Sequence, residues 1–398
     1  MLSLEEALAQ LVDGLGRTEP EEVVLTESVG RVPIDRKLTA AFDVPPFANS
    51  AMDGFAVIAA DGAAPRPVIG ESRAGGPPPP RVEAGTAVRI MTGAPVPDGA
   101  DAVVPIEEAS EQGPMVHVQV APRAGAHVRP AGHDVAAGTD VSLPDAPLSA
   151  ATVGLLAAMG RASIAVHRPP RVAILSTGDE LAAAGARLGP GQIHDANGPA
   201  LAAAVLEAGG EPMLLPRAGD DASVIEERLL EGARTADLVL VSGGVSVGQH
   251  DHVRTVIERL GSLAFWRIAV QPGKPLAFGR IGECPVVGLP GNPVSALVTF
   301  ELFVRPMIRR MLALPGDGRL RIRARVDERF GKDMARRAFL RVRIEAEGDG
   351  YRAILAGGQA SSQLLPLAWA NALLVVPEGV DATVAGESYE AILTGAIT

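Results

Sequence analysis

Three glycine-rich blocks stand where buried strands are expected to end. STGDEL (176–181) follows VAIL, SGGVSVG (242–248) follows LVLV, and GLPGNPVSA (288–296) follows CPVV and opens a helix. Glycine lets backbone N–H groups approach an anion closely, and a helix N-terminus adds partial positive charge. One such block is often only a turn; three at the same sheet edge point to a bound anion. Their candidate contacts are Ser176, Thr177, Gly178, Gly243, Gly244, Gly291 and Asn292. Carboxylates lie in the same places: Asp179 and Glu180 in STGDEL, Asp195 in IHDANG, Asp220 and Asp221 in GDD, and Asp251 after SGGVSVGQH. Hard oxygen ligands beside a phosphate cradle suit Mg²⁺, which takes one or two carboxylates plus substrate oxygens. Asp195 and Asp221 read equally well as helix N-caps. His250 and His252 flank Asp251, but alternate positions in a loop seldom converge on one zinc ion. Positive charge is available from Lys274 in QPGKP, Arg267 after Trp266 and Arg341 in FLRV, each of which could instead be a solvated surface residue. No GxxxxGK[ST] loop and no convincing GxGxxG appear, so Walker-type ATP hydrolysis and dinucleotide redox chemistry lose most of their support.

The elements that must position these groups follow from periodicity. Residues 3–16 predict an amphipathic helix, with Ser3 and Glu6 as a capping box and Leu4, Ala7, Leu8, Leu11, Val12 and Leu15 as one stripe. From about 40 to 138, short apolar runs (FAVIA, AVRIM, DAVVPI, MVHVQV) alternate with Pro/Gly clusters, which predicts a β-rich domain. GGPPPP at 75–80 reads as a stiff connecting loop before it reads as a ligand for proline-binding modules. A helix is expected over 148–160, with a strand after it. From about 169 to 316 strands and helices alternate, with Asn197 as a plausible helix cap; this predicts a parallel or mostly parallel sheet with helices on both faces. Ligands in such sheets bind at the carboxyl ends of the strands, where the glycine blocks fall. From about 317 onward polar and apolar residues alternate (RIRARV, AFLRVRIEA, ANALLVVP, SYEAIL), predicting a small β-barrel or sandwich.

Composition narrows the function classes. Hydrophobic residues make up 47% but aromatics only 3%, so the cores are built from Ala, Val, Leu and Ile. The net charge of −11 argues against a nucleic-acid-binding face. The single cysteine, Cys284, rules out an internal disulfide and a cysteine-based zinc or iron–sulfur site, and fits a reducing cytoplasm. Residues 1–16 lack the basic start of a signal peptide, and the longest helix-like apolar stretch, 148–159, is too short to span a bilayer.

The glycine blocks, together with SAMDGFAV (50–57) and RIMTGAPVP (89–97), make the chain resemble the molybdopterin molybdenumtransferase (MoeA) family, related to the gephyrin E domain. The resemblance runs from the first helix to the last strand. It implies a multi-domain α/β plus β architecture: an elongated, discontinuous layer from 1–40 and 139–168, a β-rich insert over 41–138, a MogA-like three-layer α/β domain over 169–316, and a C-terminal β-barrel over 317–398. It also implies a cytoplasmic homodimer in which the insert of one subunit covers the cleft of the other. The implied reaction is adenylyl-molybdopterin plus molybdate giving molybdenum cofactor plus AMP, promoted by Mg²⁺. Implied partners are a MogA-like adenylyltransferase and the factors that deliver cofactor to molybdoenzymes; no nucleic acid or membrane is expected.

Carried over by position, Asp53, Thr92, Arg129, Asp134, Glu180, Asp220 and Asp251 match active-site positions, with Glu180, Asp220 and Asp251 as the metal set. Pro290 and Pro293 match the prolines of the family's PGNP loop, Lys274 matches the lysine of its PGKP turn, and Lys274 with Ser295, Arg341 and Ser361 resembles a molybdate pocket. The chain departs from the family at Arg267 and Gln271, where members often carry lysine, and at Ala196, which lacks a hydroxyl. Two other readings compete: a molybdopterin adenylyltransferase, which would consume ATP, and a non-catalytic scaffold.

Overall fold

The computed structural model describes residues 2–244 and 252–397. The chain divides into two compact units: Glu22–Val166, and Met1–Glu21 together with His167–Thr398.

The second unit begins with α1 (Leu4–Val12). The capping box forms as expected: Ser3 Oγ accepts the Glu6 N–H at 3.1 Å and Glu6 Oε2 accepts the Ser3 N–H at 2.9 Å. The helix stops earlier than the predicted Gly16 because Asp13 turns to an extended backbone. Ala7, Leu11 and Leu15 are buried all the same.

Unit 22–166 contains the four strands read from the sequence, within a six-stranded sheet. These are β1 (Gly54–Val57), β2 (Arg66–Ser72), β3 (Ala87–Ile90), β4 (Ala102–Pro105), β5 (Ala109–Gln112) and β6 (Met115–Val118), in the order β4-β1-β3-β2-β6-β5. Side chains alternate across a strand, so Phe55 and Val57 enter one core with Val104, while Ala56 enters another with Val88 and Ile90. Both faces of β1 are thereby covered. A side chain at Gly54 would place its Cβ 1.9 Å from the Val104 carbonyl. The 75–80 segment is a connecting loop between β2 and β3, with Pro80 packed on Gly70. Elsewhere in this unit α2 (Ala150–Ala158) starts at a Ser149 cap, and Leu25, Leu143, Leu148, Leu156 and Ile164 form its core.

The α/β part consists of β7 (Arg171–Ser176), α3 (Asn197–Ala208), β8 (Glu211–Leu214), α4 (Ala222–Thr235), β9 (Leu238–Ser242), α5 (His252–Leu260), β10 (Ser262–Arg267), β11 (Pro275–Ile281), β12 (Cys284–Leu289), α6 (Pro293–Thr299) and α7 (Arg305–Met311). The order is β8-β7-β9-β12-β11-β10. The first four strands are parallel, and the uninterrupted apolar runs of β7, β9 and β12 suit strands buried on both faces. The helices α4 and α5 cover one face, and α3 packs with α6 and α7 on the other. Sequence reading missed both β10 and β11. The two residues Gly282 and Glu283 between β11 and β12 are too few for a parallel crossover, so the pair is an antiparallel hairpin. The run 292–312 does not form one continuous α-helix: a π-helical turn at Phe300–Val304 separates α6 from α7, next to Pro306, which has no N–H to donate.

The C-terminal part is a closed five-stranded barrel. Its strands β13 (Arg321–Val326), β14 (Arg337–Glu347), β15 (Gly350–Leu355), β16 (Ala372–Val376) and β17 (Ser388–Leu393) run β14-β15-β13-β17-β16, and β16 pairs back with β14. A short helix, α8 (Leu364–Trp369), precedes β16. Ala338, Leu340, Val342 and Ile344 point into the barrel, so the alternation sends Phe339 and Arg341 outside it. No helix among the described residues is long and apolar enough to cross a membrane. Cys284 is buried, and that burial pushes its thiol pKa up to about 12.

Candidate functional site

A cleft of about 1140 Å³ opens over the carboxyl ends of β7, β9 and β12. It is lined by the glycine blocks, the 193–197 segment, Asp220, the QPGKP turn and residues 359–362 of the barrel. Such an edge is the expected ligand position in a parallel α/β sheet.

The glycines act here through close packing. Thr177 donates its N–H to Ser242 O at 3.0 Å, Gly178 to Ala218 O at 3.1 Å and Gly243 to Leu289 O at 3.3 Å. These three amides hold the strand ends together. A Cβ at Gly243 would meet Thr177 O at 2.6 Å, and Gly243 has a φ of +98° that L side chains rarely adopt.

Asn197 joins three of these pieces. Its Nδ2 donates to Ser242 Oγ and to Gly291 O, each at 2.7 Å. Sequence reading took Asn197 for a helix cap; the helix instead starts with Ala196 in the cap position, and Asp195 Oδ1 accepts the Gly198 N–H at 2.9 Å. Asp221 is the N-cap of α4, accepting from Ser223 N at 2.8 Å.

Glu180 and Asp220 line the cleft as exposed carboxylates on neighbouring loops. Asp220 is held there by Asp179, whose Oδ1 accepts its N–H at 3.1 Å. Two such hard donors, with room for substrate oxygens, fit the way Mg²⁺ binds. Among the described residues no three His, Cys, Asp or Glu side chains converge on a metal position. Asp251 and His250 lie outside the described residues.

The QPGKP turn of the α/β part contributes the opposite charge, and α6 and the barrel contribute hydroxyls. Lys274 is exposed in the cleft wall, with Ser295, Ser361 and Asn292. Asn292 Nδ2 donates to Ser361 Oγ at 3.1 Å, tying the PGNP loop to the barrel loop. Arg341 is only 1% exposed and lies beneath that loop, with Nη2 donating to Gly358 O at 3.4 Å and Ala360 O at 3.3 Å. Burial pushes the pKa of its guanidinium down to about 10, and its Nε has no hydrogen-bond partner among the described residues. Gln359, a residue sequence reading passed over, clamps the Arg341 backbone. It accepts from Arg341 N at 2.9 Å and donates to Arg341 O at 3.1 Å. The only sequence signal for it was its place in a glycine–serine run, GGQASS.

Four of the expected residues belong to unit 22–166. Asp53 Oδ1 accepts the Thr92 N–H at 2.6 Å and the Thr92 hydroxyl at 2.7 Å, and these bonds, the backbone one first, lower the Asp53 pKa. The strand Asn49–Ser50 brings Arg129 to the same turn, since Arg129 pairs with Asn49 and Gly93 N donates to Ser50 O at 2.8 Å. Asp134 is an exposed turn residue whose N–H bonds Val44 O at 3.0 Å.

Comparison with known proteins agrees along the whole chain. Residues 2–160 match the MoeA N-terminal region (domain I and II), 173–310 a probable molybdopterin binding domain, and 323–394 the MoeA C-terminal region (domain IV). Molybdopterin molybdenumtransferase 2 of Mycobacterium tuberculosis is 39% identical over 98% of this chain and 99% of its own. Molybdopterin molybdenumtransferase of Haemophilus influenzae is 38% identical over 78% of each. Among solved structures, a molybdopterin biosynthesis MoeA protein from Pyrococcus horikosii superimposes with a TM-score of 0.85 at 33% identity, covering all of both chains. Three family regions in order and relatives alike from end to end place this chain in the MoeA family.

Proposed function

We propose that the chain is a molybdopterin molybdenumtransferase, moving molybdenum from molybdate into adenylyl-molybdopterin with release of AMP. The observation that carries this reading is a cleft lined both by acidic strand-end loops and by Lys274 with the Ser295 and Ser361 hydroxyls. Acidic loops can hold the cation that a phosphoanhydride needs, and positive charge with hydroxyl donors suits a tetrahedral dianion.

Glu180 and Asp220, with Asp251, would hold Mg²⁺. When bound, that ion supplies charge neutralisation on the substrate phosphates. The protein's own loops orient the substrate. Ser176, Thr177, Gly178, Gly243 and Gly244 form the floor beneath the adenylyl and pterin phosphates, and Pro290, Gly291, Asn292 and Pro293 form its edge. Lys274, Ser295 and Ser361 receive molybdate, and Arg341 acts from behind by holding the Ser361 loop and adding uncompensated positive charge. Asp53, Thr92, Arg129 and Asp134 complete the site from the insert of a second copy in a homodimer. A MogA-like adenylyltransferase supplies the substrate, delivery factors receive the product, and the setting is cytoplasmic. The four-part division at 40, 138, 168 and 316 is the domain scheme that goes with this reading.

AMP release by purified protein with adenylyl-molybdopterin, Mg²⁺ and molybdate tests the proposal, with Glu180→Gln and Asp251→Asn alongside. Molybdate-dependent release lost in the variants is the expected result. No release from the folded wild type overturns it.

A further inference from the structure

Arg336 lines the same cleft as Gln271 and Lys274, and the proposed reaction assigns it no role. Its side chain is 23% exposed. The turn that carries it is tightly held. Asp333 Oδ2 accepts Arg336 Nε at 2.7 Å, Asp333 Oδ1 accepts the Ala335 N–H at 2.9 Å, and Lys332 Nζ donates to Arg336 O at 2.7 Å. The Asp333 N–H in turn donates to Gln271 Oε1 at 3.3 Å, which fastens the turn to the cleft wall. With Nε fixed, the planar fork has a set direction, and among the described residues Nη1 and Nη2 have no hydrogen-bond partner. A guanidinium so held is pre-organised to bind two oxygens of an oxyanion at once.

The alternatives in the same wall are less well placed to do this. Lys274 offers a point charge on a flexible stem. Arg341 is buried beneath the 358–360 loop and gives its Nη2 to two backbone carbonyls. Asp333 offsets part of the Arg336 charge through Nε but leaves the outer edge of the fork open.

We propose that Arg336 is a direct binding residue for the tetrahedral oxyanion, contacting it together with Lys274, and that Gln271 and Asp333 are its positioning residues. This rests on the reading of molybdate as the second substrate.

The test uses the full chain as wild type, Arg336→Ala, Arg336→Lys and the control Arg343→Ala, an exposed barrel residue paired with Glu345. AMP release is followed across molybdate at saturating adenylyl-molybdopterin, and across adenylyl-molybdopterin at saturating molybdate. Molybdate binding to the protein alone is read by calorimetry. Arg336→Ala is expected to raise the molybdate KM and Kd by about 10- to 100-fold, the scale of a lost charged hydrogen bond, with the KM for adenylyl-molybdopterin unmoved. Arg336→Lys recovers part of the loss and Arg343→Ala behaves as wild type. Wild-type molybdate binding by Arg336→Ala overturns the proposal, and so does an equal rise in both KM values. Loss of molybdate-dependent AMP release is judged on the wild type alone and strikes the proposed function. Calorimetry still decides the role of Arg336 in that case, and a wild type that gives no molybdate heat overturns it as well.

Discussion

Asp179 Oδ1 accepts the backbone N–H of Asp220 at 3.1 Å, so one carboxylate of the first glycine block holds the loop that carries another. The contact is close: a Cβ at Gly219 would lie 2.3 Å from the same oxygen. Asp179→Ala removes the anchor without altering the Glu180 and Asp220 side chains themselves. We expect it to lower kcat for AMP release by about tenfold and stability by about 1 kcal/mol, the net worth of one hydrogen bond. Raising Mg²⁺ restores part of the rate if the fault is a displaced Asp220; a rate indifferent to Mg²⁺ would count against that explanation.

Asn197 predicts a second outcome. Its Nδ2 is a shared donor to β9 and the PGNP loop, so Asn197→Ala leaves Ser242 Oγ and Gly291 O without it. The expected cost is about 1–3 kcal/mol in urea unfolding, with a raised KM for adenylyl-molybdopterin. Asn197→Asp is expected to be no better, because a carboxylate cannot donate to a carbonyl. An aspartate variant with wild-type stability and KM would show the amide to be dispensable.

The Asp53–Thr92 pair predicts a titration. Hydrogen bonds from the Thr92 N–H and hydroxyl favour the charged carboxylate and hold its pKa below the ordinary 3.8. The stabilisation they bring is complete above pH 3.8 and is lost as pH falls through the lower folded value. Thr92→Val removes the hydroxyl and keeps the backbone bond, so the pKa is expected to rise part of the way. Carboxyl carbon NMR on the folded protein reads it directly; an unchanged value would place the whole shift on the backbone bond.

A fourth prediction concerns the opposite end of β9. Arg168 grips Asp237 with two bonds, Nη1 to Oδ2 at 2.6 Å and Nη2 to Oδ1 at 2.8 Å, and Arg171 N adds a third at 2.7 Å. Burial raises the Asp237 pKa, but these bonds and charges outweigh it and the net shift is downward from 3.8. Stability from this cluster is present above that value and declines as pH falls through the folded one. Asp237→Asn is expected to cost about 1–3 kcal/mol near neutral pH and to flatten the acid limb of the stability curve. Both KM values should stay as they are, since the cluster lies away from the cleft; a shifted molybdate KM would show that the sheet transmits the change.

The sequence by itself determined the element types wherever a run of residues meets one environment. VAIL, LVLV and CPVV, bounded by glycine blocks, read as strands covered on both faces, Ser3 with Glu6 reads as a helix start, and the alternation over 338–344 places Arg341 on the face opposite Leu340 and Val342. Local rules decide these because the partners lie within a few residues or one pleat. The resemblance named the family from contiguous blocks for the same reason. What only the tertiary structure decided involves groups far apart in the chain. Asn197 looks like a cap until β9 and the PGNP loop arrive beside it. The amides of Thr177, Gly178 and Gly243 look like free anion donors until the adjacent strand ends claim them. Arg336 reads as one more charge in a basic turn until Gln271, 65 residues earlier by numbering, holds that turn at the cleft wall. Side-chain hydrogen bonds of this kind depend on which loops the sheet order and the closed barrel make neighbours, and no periodicity in the chain records that.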